Sequence, residues 1–81
     1  MDMEQKSIHR ADAIRLLEDG QPHKLRLWKI ATGDILTYHA ATFVGAHKKA
    51  GTHRVRLEPS GVIRAFRDVT LFEIDDLSIY I

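Results

Sequence analysis

THRVRLEPSGVIRAFR, residues 52–67, is the stretch whose reading decides the fold. Thr52, Arg54, Arg56 and Glu58 alternate with His53, Val55 and Leu57, the period-2 pattern of a half-buried strand. Glu58-Pro59-Ser60-Gly61 reads as a turn: proline presets φ at the first corner, and glycine accepts the positive φ needed to re-enter a strand. A second strand then starts at Val62. With Glu58 facing Val62 across a three-residue loop, Leu57 meets Ile63 and Val55 meets Ala65 on the inner face. Arg56 then opposes Arg64, and Arg54 opposes Phe66, on the outer face. Like charges directly opposed in a sheet cost a few tenths of a kcal/mol. A face of Arg54, Arg56 and Arg64 around Phe66 would therefore gain from an anionic partner; the alternative is that the long arginines splay into water over the ring.

Outward from this hairpin, the chain reads as one helix followed by short strands. Ser7 is placed as an N-cap, and Ile8, Ala11, Ile14 and Leu17, widened by Ala13 and Leu16, make an apolar stripe at helical spacing. Gly20 and Pro22 stop it, giving a helix over residues 8–18 after a polar tail, 1–6, that is expected to fray. From His23, Lys24, Arg26 and Trp28 alternate with Leu25 and Leu27, Thr32-Gly33-Asp34 forms a tight turn, and ILTYHAATFV (35–44) returns. GAHKKAG (45–51) is the long loop, carrying Lys48 and Lys49 beside His47. VTLFEI (69–74) and LSIYI (77–81) are strands around an Asp75-Asp76 turn. The expected architecture is a single domain, mainly β with one N-terminal helix, residues 23–81 forming a small antiparallel barrel or rolled sheet of five to six strands. An SH3-like barrel is the first choice and an OB-like barrel the second.

The 81 residues are 44% hydrophobic and 28% charged, which suits one globular core and not a disordered chain. There is no cysteine, which excludes disulfides and thiolate zinc sites. No apolar run nears the roughly 18 residues of a membrane span, and no signal-peptide segment precedes the helix, so a cytoplasmic protein is expected, with no membrane partner. The net charge of +1 hides a segregation. Residues 1–22 carry −2, residues 23–67 carry +7, and residues 68–81 carry −4 from Asp68, Glu73, Asp75 and Asp76. Such a basic body between acidic ends attracts polyanions, or is neutralised within the fold or between copies.

The candidate binding residues follow from this pattern. Lys24, Arg26 and Trp28 share one side of the first strand. Arg54, Arg56, Arg64 and Phe66 share one side of the central hairpin, and Lys48 and Lys49 stand on the loop. Cations interleaved with rings are what single-stranded nucleic acid uses, with phosphates on the cations and bases on the rings; ordinary solvated sheets also present arginines outward. Trp28 lies outside if strand alternation is strict and turns inward if a bulge intervenes. His39, His47 and His53 match no metal-ligand spacing, and Glu73, Asp75 and Asp76 lack the spacing and loop glycine of an EF-hand, so no metal or cofactor is expected. Ser7, Ser60 and Ser78 sit in no nucleophile elbow, and no phosphate-binding or dinucleotide motif occurs. A chain this short also has difficulty enclosing a substrate pocket. The expectation is therefore no enzyme and no small-molecule substrate.

The phrases LLEDGQPHKLRLWKIATGDI, SGVIRAFRDVTLFEI and IYI resemble short proteins that accompany phages and mobile elements of gut Bacteroidales, over most of the chain. This resemblance implies a genetic context, in a host cytoplasm or a virion, and no activity, cofactor or site residue. Two functions follow as expectations: a non-enzymatic module whose basic β-face binds nucleic acid or an acidic protein, or a small self-associating structural component whose acidic C-terminal strands pair with the basic face or open edge of another copy.

Overall fold

The structure, a computed structural model, describes residues 6–81. The expected tail, residues 1–6, falls outside this range except for Lys6, whose carbonyl accepts from the Ser78 backbone N–H. Seven strands form one sheet that does not close into a barrel: β1 (Ser7–His9), β2 (His23–Trp28), β3 (Ile35–His47), β4 (Thr52–Leu57), β5 (Val62–Arg67), β6 (Leu71–Ile74) and β7 (Leu77–Tyr80). Their order is β1-β7-β6-β2-β3-β4-β5. Only β1 and β7 run parallel.

The thirteen-residue β3 organises the sheet. Its first half pairs with β2 and its second half with β4, and the halves meet at Ala41, opposite both His23 and Leu57. Register irregularities between His23 and Leu25 and between Phe43 and Gly45 flank this point, and bulges of this kind bend a strand. The sheet therefore rolls over Ala41, which is fully buried; a larger side chain there would push the two half-sheets apart. Leu25, Leu27, Val55, Phe66, Leu71 and Ile74 fill the roll, joined by Ala13 and Leu17 from the helix. The strand extends to His47, so the expected loop 45–51 shrinks to a turn over Lys48–Gly51.

The helix α1 spans Arg10–Leu17 and not residues 8–18. Ser7 is not its cap: Ser7, Ile8 and His9 are strand, paired with Ser78, Ile79 and Tyr80. His9 caps instead, its Nδ1 accepting from the Ala11 N–H at 3.1 Å. Ile8 has both helical and strand-compatible neighbours, and the exposed backbone of β7 decides in favour of the strand. The expected strand over residues 69–74 likewise begins late, because Asp68–Thr70 form a 3-10 turn before β6. Asp75 and Asp76 carry φ of 49° and 67°, the left-handed pair of a two-residue hairpin between β6 and β7.

The central hairpin differs from its expected register by one residue. Leu57 pairs with Val62, Arg56 with Ile63, Val55 with Arg64, Arg54 with Ala65 and His53 with Phe66. The cause is Glu58, whose backbone N–H donates to the Ala40 carbonyl at 2.9 Å and so belongs to the β3 side. The loop is then four residues, closed by Gly61 N–H to the Leu57 carbonyl at 2.6 Å, with Gly61 at φ +78°. A one-residue slip exchanges the faces of β5 relative to β4.

Leu25 is fully buried and Thr37 is exposed on the same hairpin. Leu25→Ala is expected to lower the unfolding free energy by about 3 kcal/mol, and Thr37→Ala to change it by less than about 0.5 kcal/mol. Urea titrations followed by circular dichroism compare the two; equal midpoints would contradict this packing.

Candidate binding surface

On β2 the alternation is unbroken, so Lys24, Arg26 and Trp28 all lie on the outer face, with Trp28 45% exposed. The cations there are already matched. Lys24 Nζ lies 3.1 Å from Asp76 Oδ1, and Arg26 donates to Glu73 Oε1 at 3.1 Å while its guanidinium sits 5.5 Å from the Phe72 ring centre. Trp28 packs against the same Phe72 at 5.0 Å. The ring and cations of β2 thus form a cluster with β6 and its following turn, and the charge is cancelled within the chain.

The β4–β5 half is different. The register slip leaves Arg54 and Arg56 outside but moves Arg64 and Phe66 to the opposite side of the sheet. Phe66 is a core residue, 6% exposed and stacked at 6.2 Å on His53, so the expected arrangement of arginines around this ring does not form. Across β3, β4 and β5 the outer face reads in rows: Thr42, Arg56 and Ile63; Gly45, Arg54 and Ala65; His47, Thr52 and Arg67. Arg56 donates from Nε to Glu58 at 2.8 Å. Arg54 instead lies across the bare backbone of Gly45, where a Cβ would come within 3.3 Å of its guanidinium. Beside it is a shallow depression of about 370 Å³ bounded by Ala46, His47, Thr52, Arg54 and Ala65. Among the described residues, no carboxylate pairs with Arg54, Arg67, Lys48 or Lys49, which gather at this end of the sheet.

The acidic side chains are drawn elsewhere by two buried histidines, of which His53 is buried where a surface or rim position was expected. His23, 6% exposed, is held between Asp19 (Nε2 to Oδ1, 2.8 Å) and Asp75 (Nδ1 to Oδ2, 2.5 Å). His53, 3% exposed, is held between Glu18 (Nε2 to Oε2, 2.7 Å) and Asp68 (Nδ1 to Oδ1, 2.5 Å). A neutral imidazole has one donor and one acceptor; only the imidazolium donates at both nitrogens to ionised carboxylates. Burial works against the charged form of His23, but hydrogen bonds and charge from Asp19 and Asp75 outweigh it and raise its pKa above the ordinary value. Asp19 is shifted down, first by the Gln21 backbone N–H and then by His23, against a smaller opposing effect of burial. Rings with both nitrogens engaged have no lone pair to offer a metal or a substrate proton. Among the described residues no three His, Cys, Asp or Glu side chains come together as a metal site. The one legible signal was alternation, which set His53 inward beside Val55 and Leu57; an inward histidine requires a buried partner. Nothing in the sequence pointed to Glu18, thirty-five residues away.

Asp68, Asp75, Asp76 and Glu73 each have a cationic or histidine partner inside the chain. No helix of the described residues is long and apolar enough to cross a membrane. No family model, curated protein or solved structure matches the chain.

The His23 clamp gives stability a signed pH dependence. The raised pKa of His23 contributes stability that is complete below its unfolded value, about 6.5, and is lost as pH rises through the folded value. The lowered pKa of Asp19 contributes stability present above its unfolded value, about 3.9, and lost as pH falls. Urea midpoints are expected to be highest between about pH 4 and pH 6.5 and to decline on either side. His23→Gln is expected to cost about 2 kcal/mol at pH 6 and to flatten the alkaline decline; an unchanged alkaline limb would contradict the assignment.

Proposed function

We propose that the chain is a non-enzymatic binding module that contacts a polyanion, the phosphate backbone of nucleic acid, through the outer face of β3, β4 and β5 at the Lys48–Gly51 turn. The observation that carries this reading is the separation of partnered from unpartnered cations. Lys24 and Arg26 are matched by Asp76 and Glu73, whereas Lys48, Lys49, Arg54 and Arg67 have no carboxylate among the described residues. Gly45, Thr52 and Ala65 keep the surface between them low, so a backbone can approach the guanidinium of Arg54 closely. Among the described residues no Phe, Tyr or Trp ring shares this face and His47 is its one imidazole, so the contacts are chiefly to phosphates and not to stacked bases. Binding is accordingly indifferent to base sequence.

The course of the chain supports an SH3-like reading of the roll over an OB-like one. β2, β3, β4 and β5 form a meander, a 3-10 turn follows, and β6 returns beside β2. We place the module in a cytoplasm, in the mobile-element context that the sequence resemblance implies.

Four phosphate contacts on duplex DNA imply a slope of log K against log salt of about −3.6. Fluorescence anisotropy of a labelled duplex between 50 and 200 mM salt measures it. The triple charge reversal Lys48→Glu, Lys49→Glu, Arg54→Glu is expected to abolish binding while leaving the circular dichroism spectrum unchanged. Binding that survives this reversal, or that is insensitive to salt, would defeat the proposal.

A further inference from the structure

Apart from the basic outer face, the sheet has a free edge and an unfilled opening, and the two adjoin. β5 is the last strand in the order, so one row of its backbone N–H and C=O groups has no strand partner. Unpaired edges are templates for strand addition, and proteins usually blunt them. β5 carries Val62 and Ile63 exposed beside this edge. At its far end the roll stays open toward the first hairpin, leaving a pocket of about 310 Å³ between Leu27, Leu36, Tyr38 and Phe66. Trp28, Lys29 and Arg67 stand at its margin. This volume is at the low end of ligand sites, roughly 300–1,000 Å³, and suits one apolar side chain.

We propose that the free edge of β5 accepts an extended peptide segment with the pattern acidic, apolar, any, acidic. In strand addition the main chain supplies affinity and alternate side-chain pockets supply specificity. The register follows from β5 itself. The apolar residue lies opposite Phe66, whose side chain faces inward, and drops into the pocket. Its acidic neighbour lies opposite Arg67, and the second acidic residue, two positions beyond the apolar one on the other side, lies opposite Arg64. Arg64, Arg67 and Lys29 have no carboxylate partner among the described residues, so charge selects an acidic strand.

The same charges argue against a second copy as the occupant. β5 holds two arginines and no acid, so pairing it with another β5 brings like charges together. The other edge strand, β1, is three residues long and leads directly into α1, which makes it a poor partner for six residues of β5. A small molecule could fill the pocket but would leave the backbone row of β5 unpaired.

The test uses the whole chain, without nucleic acid, and the blocked peptide Ac-Thr-Glu-Leu-Thr-Glu-Thr-NH2. Amide NMR titration is expected to shift resonances over Val62–Arg67 and to slow exchange at alternate amides of β5. The emission of Trp28, the single tryptophan, is expected to change as the leucine enters. Arg64→Glu, at an exposed position, should raise Kd at least fivefold with the rest of the spectrum intact. A peptide with lysine in place of both glutamates should not bind, and one with serine in place of leucine should lose the Trp28 response. Three results would each overturn the proposal: no slowed exchange in β5 on titration, shifts confined to the pocket without β5, or β5 amides already protected in the free protein in a concentration-dependent way. The last would assign the edge to a second copy.

Discussion

Two histidines, each gripped between two carboxylates inside the sheet, are the interaction on which the rest of the molecule depends. Glu18 and Asp19, successive residues at the end of α1, reach different strands: Glu18 takes His53 on β4, and Asp19 takes His23 on β2. The opposite nitrogen of each ring meets Asp68 at the start of the 3-10 turn or Asp75 in the β6–β7 turn. Helix, two strands and two connections are thereby fixed at two points. A buried imidazolium is expensive on its own, and for His23 it is tolerable because Asp19 and Asp75 offset the desolvation. The converse also holds: removing Asp19 or Asp75 would leave the His23 cation short of a partner in a dry site.

The clamps explain how a chain of net charge +1 presents a positive surface. Glu18, Asp19, Asp68 and Asp75 turn onto the histidines, and Asp76 and Glu73 onto Lys24 and Arg26. The β3–β4 turn and the outer face of β4 and β5 lie beyond reach of those acids and keep their charge. The bending of β3 at Ala41 sets the two regions apart, since it divides the sheet into a half neutralised by β6 and β7 and a half that is not.

Much of the strand content was legible because alternation is a local property. Leu25, Leu27, Val55 and Leu57 point inward as their spacing requires, and Trp28 keeps to the outer face because β2 does not lose its alternation before Trp28. Two features were not legible, for the same physical reason. The β4–β5 register depends on whether Glu58 bonds across to β3 or to β5, a competition between strands that no single stretch encodes; the resulting slip took Arg64 and Phe66 off the expected face. Ser7–His9 depends on the backbone of β7, some seventy residues away, which outweighs a local pattern equally compatible with helix. Of the nine candidate binding residues, Lys48 and Lys49 on the β3–β4 turn and Arg54 on the outer face have no carboxylate partner among the described residues. Lys24, Arg26 and Arg56 acquired carboxylate partners within the chain, by contacts invisible to spacing.

The most direct measurement is the pair of imidazole nitrogen chemical shifts of His23 in the folded chain at about pH 6.5, the ordinary pKa of the ring. The clamp requires both Nδ1 and Nε2 to carry protons, with the two shifts in the imidazolium range and with couplings or proximities to Asp19 and Asp75. Two resonances in the separated pattern of a neutral tautomer would show that the ring is not held as a cation. The acids of the chain would then be available to outside partners, and the account of why the basic face stands unneutralised would fail.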